Sequence, residues 1–228
     1  TNTRTFTEIQ GKGNARLTNA ELADLPLDDV EGELTYKDNK FALKGVKAHT
    51  YDGLIEGAGY ILIPSGNYMV DAHVSDIYSP QFFKYIEWEP PFPEGKIFGD
   101  VKLYHENGHH IEVIADVNYR STSRAEGNVL DRLSSAATSL EFRDNILWLT
   151  DTVLSTDRTN LLLDGTIDFD QNRLDLNLKL DSADAADLTA PYYTKLSAPL
   201  RFEGTAEGPA NTPVITGKVA AEAGSVNG

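Results

Sequence analysis

A chain of 228 residues with 40% hydrophobic content carries enough apolar material for one large β domain or two ordinary ones, so it is expected to fold around a real core. Its 35 acidic against 20 basic residues, a formal net charge of -15, repel nucleic-acid phosphates and anionic lipid headgroups, which sets nucleic acid aside as a partner. The chain has no cysteine, so disulfides, thiolate metal sites and a cysteine nucleophile are excluded by composition.

No run approaches the ~18 apolar residues of a membrane helix, and Thr1-Asn2-Thr3-Arg4 has neither a signal-peptide pattern nor an initiator Met. The chain opens mid-pattern and stops on Gly224-Ser225-Val226-Asn227-Gly228 just after a strand-like run, as expected of a piece of a longer protein. It contains no Asn-x-Ser/Thr acceptor.

From the N-terminus onward the dominant period is two. Lys37-Asp38-Asn39 and Pro64-Ser65-Gly66-Asn67 read as turns, and Tyr68-Met69-Val70-Asp71-Ala72-His73-Val74 alternates apolar with polar as a strand with one oily face does. A short helix is expected over Ser79 to Ile86. The three prolines of Glu87-Trp88-Glu89-Pro90-Pro91-Phe92-Pro93-Glu94 then read as a linker. Val101-Lys102-Leu103, a turn at Glu106-Asn107-Gly108, and the strand Ile111-Glu112-Val113-Ile114-Ala115-Asp116-Val117 follow. Asn128 to Ser135 is a second helix candidate. After a turn at Asp170-Gln171-Asn172, Leu174-Asp175-Leu176-Asn177-Leu178-Lys179-Leu180-Asp181 alternates without error. Ala183 to Leu196, broken by Pro191, is the third helix candidate. Strands separated by turns at roughly ten-residue spacing describe an antiparallel meander.

The meander repeats. A shift of 106 residues lays Leu34 on Leu140, Tyr36 on Phe142, Asp38-Asn39 on Asp144-Asn145, Phe41 on Leu147, Leu43 on Leu149 and Ile55 on Leu161. Gly59 falls on Gly165, Ile61 on Ile167 and Ile63 on Phe169, and Tyr68, Val70, Ala72 and Val74 fall on the four leucines of the alternating strand. Three segments are expected within one continuous unit: a first repeat over 1–90, continuing strands and a connection over 91–135, and a second repeat over 136–228. A sheet with one oily face must cover it by closing as a sandwich, rolling into a barrel, or curling into a trough filled by a lipid or a partner.

Residues that could carry chemistry are few. His105, His109 and His110 cluster near a turn before Asp116, but consecutive histidines on a strand point to opposite faces, and a solvated turn is the expectation. Asp168-Phe169-Asp170-Gln171-Asn172 opens like a calcium loop and then fails, with Arg173 at the glycine position and Lys179 where the bidentate Glu belongs. Glu87 and Glu89 beside Trp88 would suit a sugar, as would a platform of Trp88 and Trp148, but the prolines favour a linker with solvated acids. Gly57-Ala58-Gly59 and Gly11-Lys12-Gly13 lack the third glycine of a dinucleotide fingerprint. No catalytic residue, metal site or cofactor is assigned.

The succession Ser139-Leu140-Glu141-Phe142-Arg143-Asp144-Asn145-Ile146-Leu147-Trp148-Leu149, Leu161-Leu162-Leu163-Asp164-Gly165-Thr166-Ile167-Asp168-Phe169 and the alternating leucine strand resembles the AsmA-like and TamB-like proteins of Gram-negative envelopes. So does the cadence from Ala198-Pro199-Leu200 through Gly204-Thr205-Ala206-Glu207-Gly208 and Pro213 to Gly217-Lys218-Val219. The likeness is clearest from about residue 136 onward and extends to 28–105.

The resemblance implies an all-β repeated meander that forms a curved, twisted, open groove with an apolar interior and short helical inserts. It also implies a place in the periplasm within a protein anchored in the inner membrane, and a part in moving phospholipid to the outer membrane. The lining expected is Leu140, Phe142, Leu147, Leu149, Leu161, Leu163, Ile167, Phe169, Leu174, Leu176, Leu178 and Leu180, with Ile61, Ile63, Val70 and Val74 from the first repeat. Acyl chains suit such a surface at ~0.8 kcal/mol per buried methylene. The alternative is an interaction module of a translocation and assembly machine, whose sheet edges receive a strand of an outer-membrane barrel protein. Exposed edges also make self-association an expectation.

Overall fold

The computed structural model describes residues 10–22, 25–90, 92–106, 111–123, 130–189, 195–222 and 225–227. Its strands are β1 (Gly11–Leu17), β2 (Ala20–Leu22), β3 (Leu25–Lys37), β4 (Lys40–Thr50), β5 (Gly53–Leu62), β6 (Tyr68–Tyr78), β7 (Gly95–His105) and β8 (Glu112–Ser121). They continue as β9 (Ser135–Arg143), β10 (Ile146–Ser155), β11 (Thr159–Asp168), β12 (Arg173–Ser182), β13 (Lys195–Ser197), β14 (Leu200–Pro209), β15 (Val214–Ala221) and β16 (Ser225–Asn227). Two short helices interrupt them, α1 (Ser79–Tyr85) and α2 (Ala186–Thr189).

The main sheet is an antiparallel meander running β1-β3-β4-β5-β6-β7-β8-β9-β10-β11-β12-β14-β15, with β2 beside β3 and β13 paired with β16 apart from it. The path begins and ends without closing into a barrel. By packing the chain divides into two compact units, residues 1–88 with 97–115, and 89–96 with 116–228.

In the first unit β3 and β4 are joined by Asp38-Asn39, both at positive φ (52° and 61°), the two-residue turn whose twist matches that of the flanking strands. In the second unit Asp144-Asn145 does the same between β9 and β10 (51° and 58°). The correspondence at 106 residues continues. Gly45 and Asp151 take positive φ at a bulge in β4 and β10, where Leu43/Val46 and Leu149/Thr152 bracket a register shift. The N–H of Ile63 donates to the Asn39 carbonyl, and that of Phe169 to the Asn145 carbonyl, both at hairpin ends.

The bulge has a consequence the sequence pattern does not show. Unbroken alternation from Leu147 and Leu149 would put Asp151 on the oily face. The extra residue turns it away, its N–H held by the Asp164 carboxylate at 2.6 Å, and returns Thr152 and Leu154 to the face.

Of the expected helices, Ser79 to Ile86 forms as α1, with Pro80 in its first turn where a missing N–H costs nothing. The helix expected over Asn128–Ser135 is corrected: Leu130–Arg132 is a turn and Ser135 already belongs to β9, because Ser135, Ala136 and Ala137 pair with Ser155, Leu154 and Val153. The third shortens to α2, and Lys195 and Leu196 are in strand β13, paired with Asn227 and Val226. Asn128, the Asn107-Gly108 turn, His109, His110 and Pro191 lie outside the described residues.

Large aliphatic side chains are rare among the fully buried residues. The buried hydrophobic residues are Ala48, Ile77, Ala115, Tyr119, Leu133, Ala185, Ala198 and Ala206, joined by the buried polar residues Thr50, Ser79, Thr152, Thr159 and Ser182. In the second unit the segment 92–95 is fastened to β8. The Tyr119 hydroxyl donates to the Pro93 carbonyl, Phe92 meets the Tyr119 ring, and a Cβ on Gly95 would strike that ring. Burial pushes the Tyr119 phenol up from its ordinary pKa, with a smaller opposing pull from its hydrogen bond to Ser121.

Candidate functional site

The registers assemble the expected lining of the second unit on one face. Phe142, Leu147, Ile167 and Leu174 stand opposite one another across β9-β10-β11-β12, as do Leu140, Leu149, Gly165 and Leu176 one row further on. Leu163 faces Leu178, and Leu161 faces Leu180. Phe169 lies just past β11, with its ring edge-on to Phe142 at 6.1 Å and 57% exposed. All twelve residues therefore share one surface of this unit.

The surface also takes in residues the sequence reading omitted. Ala136 and Leu154 extend the Leu161–Leu180 row on one side, and Phe202 and Val219 on the other; Ala206 and Ile215 extend the Leu176 row. Their signal was present in the alternation Leu200-Arg201-Phe202-Glu203, which is as regular as that of β12 but shorter. The opposite face of β12 and β14 carries Asp175, Asn177, Lys179, Asp181, Arg201, Glu203 and Glu207, with Arg201 and Asp181 paired at 3.4 Å.

The first unit repeats the arrangement. Tyr36, Phe41, Ile61 and Tyr68 form one row, Leu34, Leu43, Gly59 and Val70 the next, and Ala48, Ile55 and Val74 a third. Three side-chain contacts, Tyr68 with His105, Asp71 with Lys102 and His73 with Asp100, keep a single antiparallel register between β6 and β7, which sets Leu103 beside Val70. Ile61, Val70 and Val74 thus share the face; Ile63 lies beyond the end of β5, in the turn. On the other side of this sheet the exposed pair Lys47–Glu56 closes to 2.6 Å. The hydrogen bond and the opposite charge hold Glu56 below and Lys47 above their ordinary pKa values.

Glycines bend both sheets. In a flat pleated strand a Cβ projects clear of its neighbours. A Cβ built on Gly59 would lie 2.8 Å from the Met69 carbonyl oxygen, one on Gly57 2.9 Å from the Cα of Ala72, one on Gly165 2.9 Å from the Cα of Leu176, and one on Gly204 2.7 Å from the Cα of Gly217. These glycines stand in the apolar rows, so the neighbouring strand folds over toward the apolar side at each. Gly165 has φ +143°, a conformation that side-chain-bearing residues avoid.

The lining is half-exposed rather than buried. Leu140, Leu149, Leu161, Leu163, Leu174, Leu176, Leu178 and Leu180 are all intermediate, and Ile61 and Ile63 are exposed. A sandwich would have buried such residues against a second layer. At one end of the second unit's face the rows close with a polar pair, Thr159 and Ser182, whose buried hydroxyls lie 2.8 Å apart. Just beyond, the Ala185 N–H donates to the Ala198 carbonyl. At the corresponding end of the first unit the Tyr78 N–H donates to the Tyr51 carbonyl, and Ser79, the first residue of α1, is buried.

The chemistry weighed from sequence stays scattered. His105 stacks on Tyr68 at 5.2 Å with its Nδ1 buried and without a hydrogen-bond partner, and no metal-sized group of His, Asp or Glu converges among the described residues. Asp168 caps its own turn by accepting from the Gln171 N–H, and Asp170 accepts from Asn145 Nδ2, as a hairpin requires. Trp148 lies on the face opposite the lining, under the Arg143 guanidinium at 5.5 Å. Trp88 packs edge-on against Phe83. Among the described residues no helix is long and apolar enough to cross a membrane.

What each unit offers by itself is therefore a half-exposed aliphatic surface on which, among the described residues, no polar groups converge. Comparison of the chain with protein-family models, with curated proteins and with solved structures returns no match.

Proposed function

We propose that the apolar face of each meander binds lipid acyl chains, and that the chain is a periplasmic segment of an AsmA-like or TamB-like protein conducting phospholipid between the inner and outer membranes. The observation that carries the reading is the leucine surface of the second unit. It spans β9 to β14 in cross-strand register on both sides of the β10 bulge, and its side chains stay half-exposed while the few fully buried positions are mostly alanine, serine and threonine. Apolar area of that extent demands a cover, and a methylene chain covers it without any polar group to recognise it. The glycine bends favour the same occupant, since they fold the strands toward the oily side.

The test is mass spectrometry of organic extracts of the chain purified without detergent, beside Leu176→Asp. Leu176 lies mid-strand in the row with Leu140 and Leu149, so a carboxylate there interrupts the surface while the half-exposed site lets the strand form. Phospholipid in the parent and its loss from the folded variant is the expected result. Lipid retained unchanged by that variant would sink the reading. Reception of a strand at a sheet edge, the other function considered, is favoured by the exposure of Val214, Ile215 and Val219 on β15, which among the described residues pairs with β14 alone.

A further inference from the structure

Within each unit the apolar face is open along one margin and closed along the other. The first margin carries the turns Asp38-Asn39 and 64–67 in the first unit, and Asp144-Asn145 and 170–172 in the second. There the large side chains meet water: Leu43 (40%), Ile61 (41%), Ile63 (43%) and Phe169 (57%) are exposed. They lie on or just past β4, β5 and β11, each of which has a hydrogen-bonded neighbour on both sides, so the exposure belongs to the face and not to a sheet edge. At the second margin the face ends instead in buried side chains, Thr50 and Ile77 in the first unit and Thr159, Ser182 and Ala185 in the second. The polar groups of the two margins differ in the same sense. At the closed margin Arg158 is held by Asp184 at 2.6 Å, and the Thr159 and Ser182 hydroxyls are held by each other. At the open margin Lys37 with Asp38, and Arg143 with Asp144, stand exposed at 4.0 Å. The Tyr36 hydroxyl donates to Asn39 Oδ1 in the turn, from a ring that packs on Phe41 in the apolar face.

Resting on the lipid reading above, we propose that a phospholipid lies on each face with its acyl chains along the strands, its terminal methyls at the closed margin, and its glycerol and headgroup at the open one. The lengths agree. From Leu174 to Leu180 β12 advances six residues, about 20 Å, along the apolar face. One leaflet of a bilayer, half of a hydrocarbon core about 30 Å thick, is about 15 Å deep. A chain laid along the strands is therefore covered from end to end, with its head at the turns. A headgroup at the closed margin would have to break the Thr159–Ser182 pair or give up its water without replacement. At the open margin it keeps its water and meets charges of both signs, as a zwitterionic headgroup requires. It also lies beside Tyr36, whose apolar ring and polar hydroxyl suit a boundary between hydrocarbon and water.

Depth-dependent fluorescence quenching tests the orientation. In a background of Trp88→Phe with Trp148→Phe, a single indole is placed at the open margin by Phe169→Trp or at the closed margin by Leu180→Trp. Each variant of the full chain is incubated with vesicles of phosphatidylcholine bearing a nitroxide either near the glycerol end or near the terminal methyl of one chain, and the vesicles are then removed. The label near the glycerol is expected to quench Phe169→Trp at least twice as strongly as Leu180→Trp, and the label near the methyl to reverse that order. Ile61→Trp and Val74→Trp make the same comparison in the first unit, so the test stands where circular dichroism shows a second-unit variant to be misfolded. Quenching with no dependence on label depth would overturn the proposal, since chains laid across the strands hold both labels at the same distance from a margin. The opposite order would overturn it too, placing the headgroup at the closed margin. In both cases the quenching itself upholds lipid on the face. Absence of quenching by either label at every site would remove the lipid reading and the orientation with it.

Discussion

Gly165→Ala is the sharpest probe of the sheet's bending. The added methyl would stand 2.9 Å from the Cα of Leu176, and backbone rather than a flexible side chain is what would have to move. Accommodating such overpacking costs about 1–3 kcal/mol. The φ of +143° adds strain of about 1–3 kcal/mol, because alanine does not adopt it readily. The expected loss is therefore about 2–6 kcal/mol, the sum of those two terms. The control is Gly13→Ala in β1, where a Cβ meets nothing within 4 Å. There the lower entropy of the unfolded chain should stabilise by about 0.4–1 kcal/mol. Urea unfolding followed by Trp148 fluorescence reports on the right place, since Trp148 sits opposite Thr166, the residue after Gly165. The chain has two tryptophans, so a Trp88→Phe background leaves Trp148 as the only signal. Equal midpoints for Gly165→Ala and the parent would refute the argument, as would an equal loss in Gly13→Ala.

Other outcomes follow from the polar groups. Ser182→Ala strands the buried Thr159 hydroxyl and should cost about 1–3 kcal/mol, whereas Thr159→Val with Ser182→Ala, which removes both partners, should cost less than the two single changes summed; denaturant midpoints decide it. Tyr119 should titrate late in an ultraviolet phenolate titration, because burial disfavours its anion. With the folded pKa above the unfolded one, the stability it contributes is complete below the unfolded phenol value and is lost as pH rises through the folded value. Tyr119→Phe should remove that alkaline sensitivity and cost about 1 kcal/mol for the hydrogen bond to Pro93, read from the alkaline limb of a stability profile.

Much of this architecture could be read from the chain itself. The leucine alternation of β12 fixes both its strand period and its oily side, since the side-chain period of a strand is two. Asp38-Asn39 and Asp144-Asn145 announce two-residue hairpins because those residue types tolerate positive φ. Their spacing of 106 residues exposes two meanders built alike. Asp168 and Asp170 serve the hairpin that the Asp170-Gln171-Asn172 turn signal predicts.

Tertiary structure decided the rest. Asp151 falls where alternation would place an apolar residue, and only the bulge, a backbone event with no side-chain signature of its own, carries it to the polar side. Residues from 130 to 135 have the composition of a helix, yet pairing of Ser135–Ala137 with β10 outweighs local propensity. Periodicity says which face is oily and not what lies on it; a buried sandwich core and a bare surface give the same alternation. The half-exposure of Leu174 to Leu180 and the glycines that fold neighbouring strands toward them depend on which distant strands meet, and that is set by long-range backbone pairing rather than by any local run of residues.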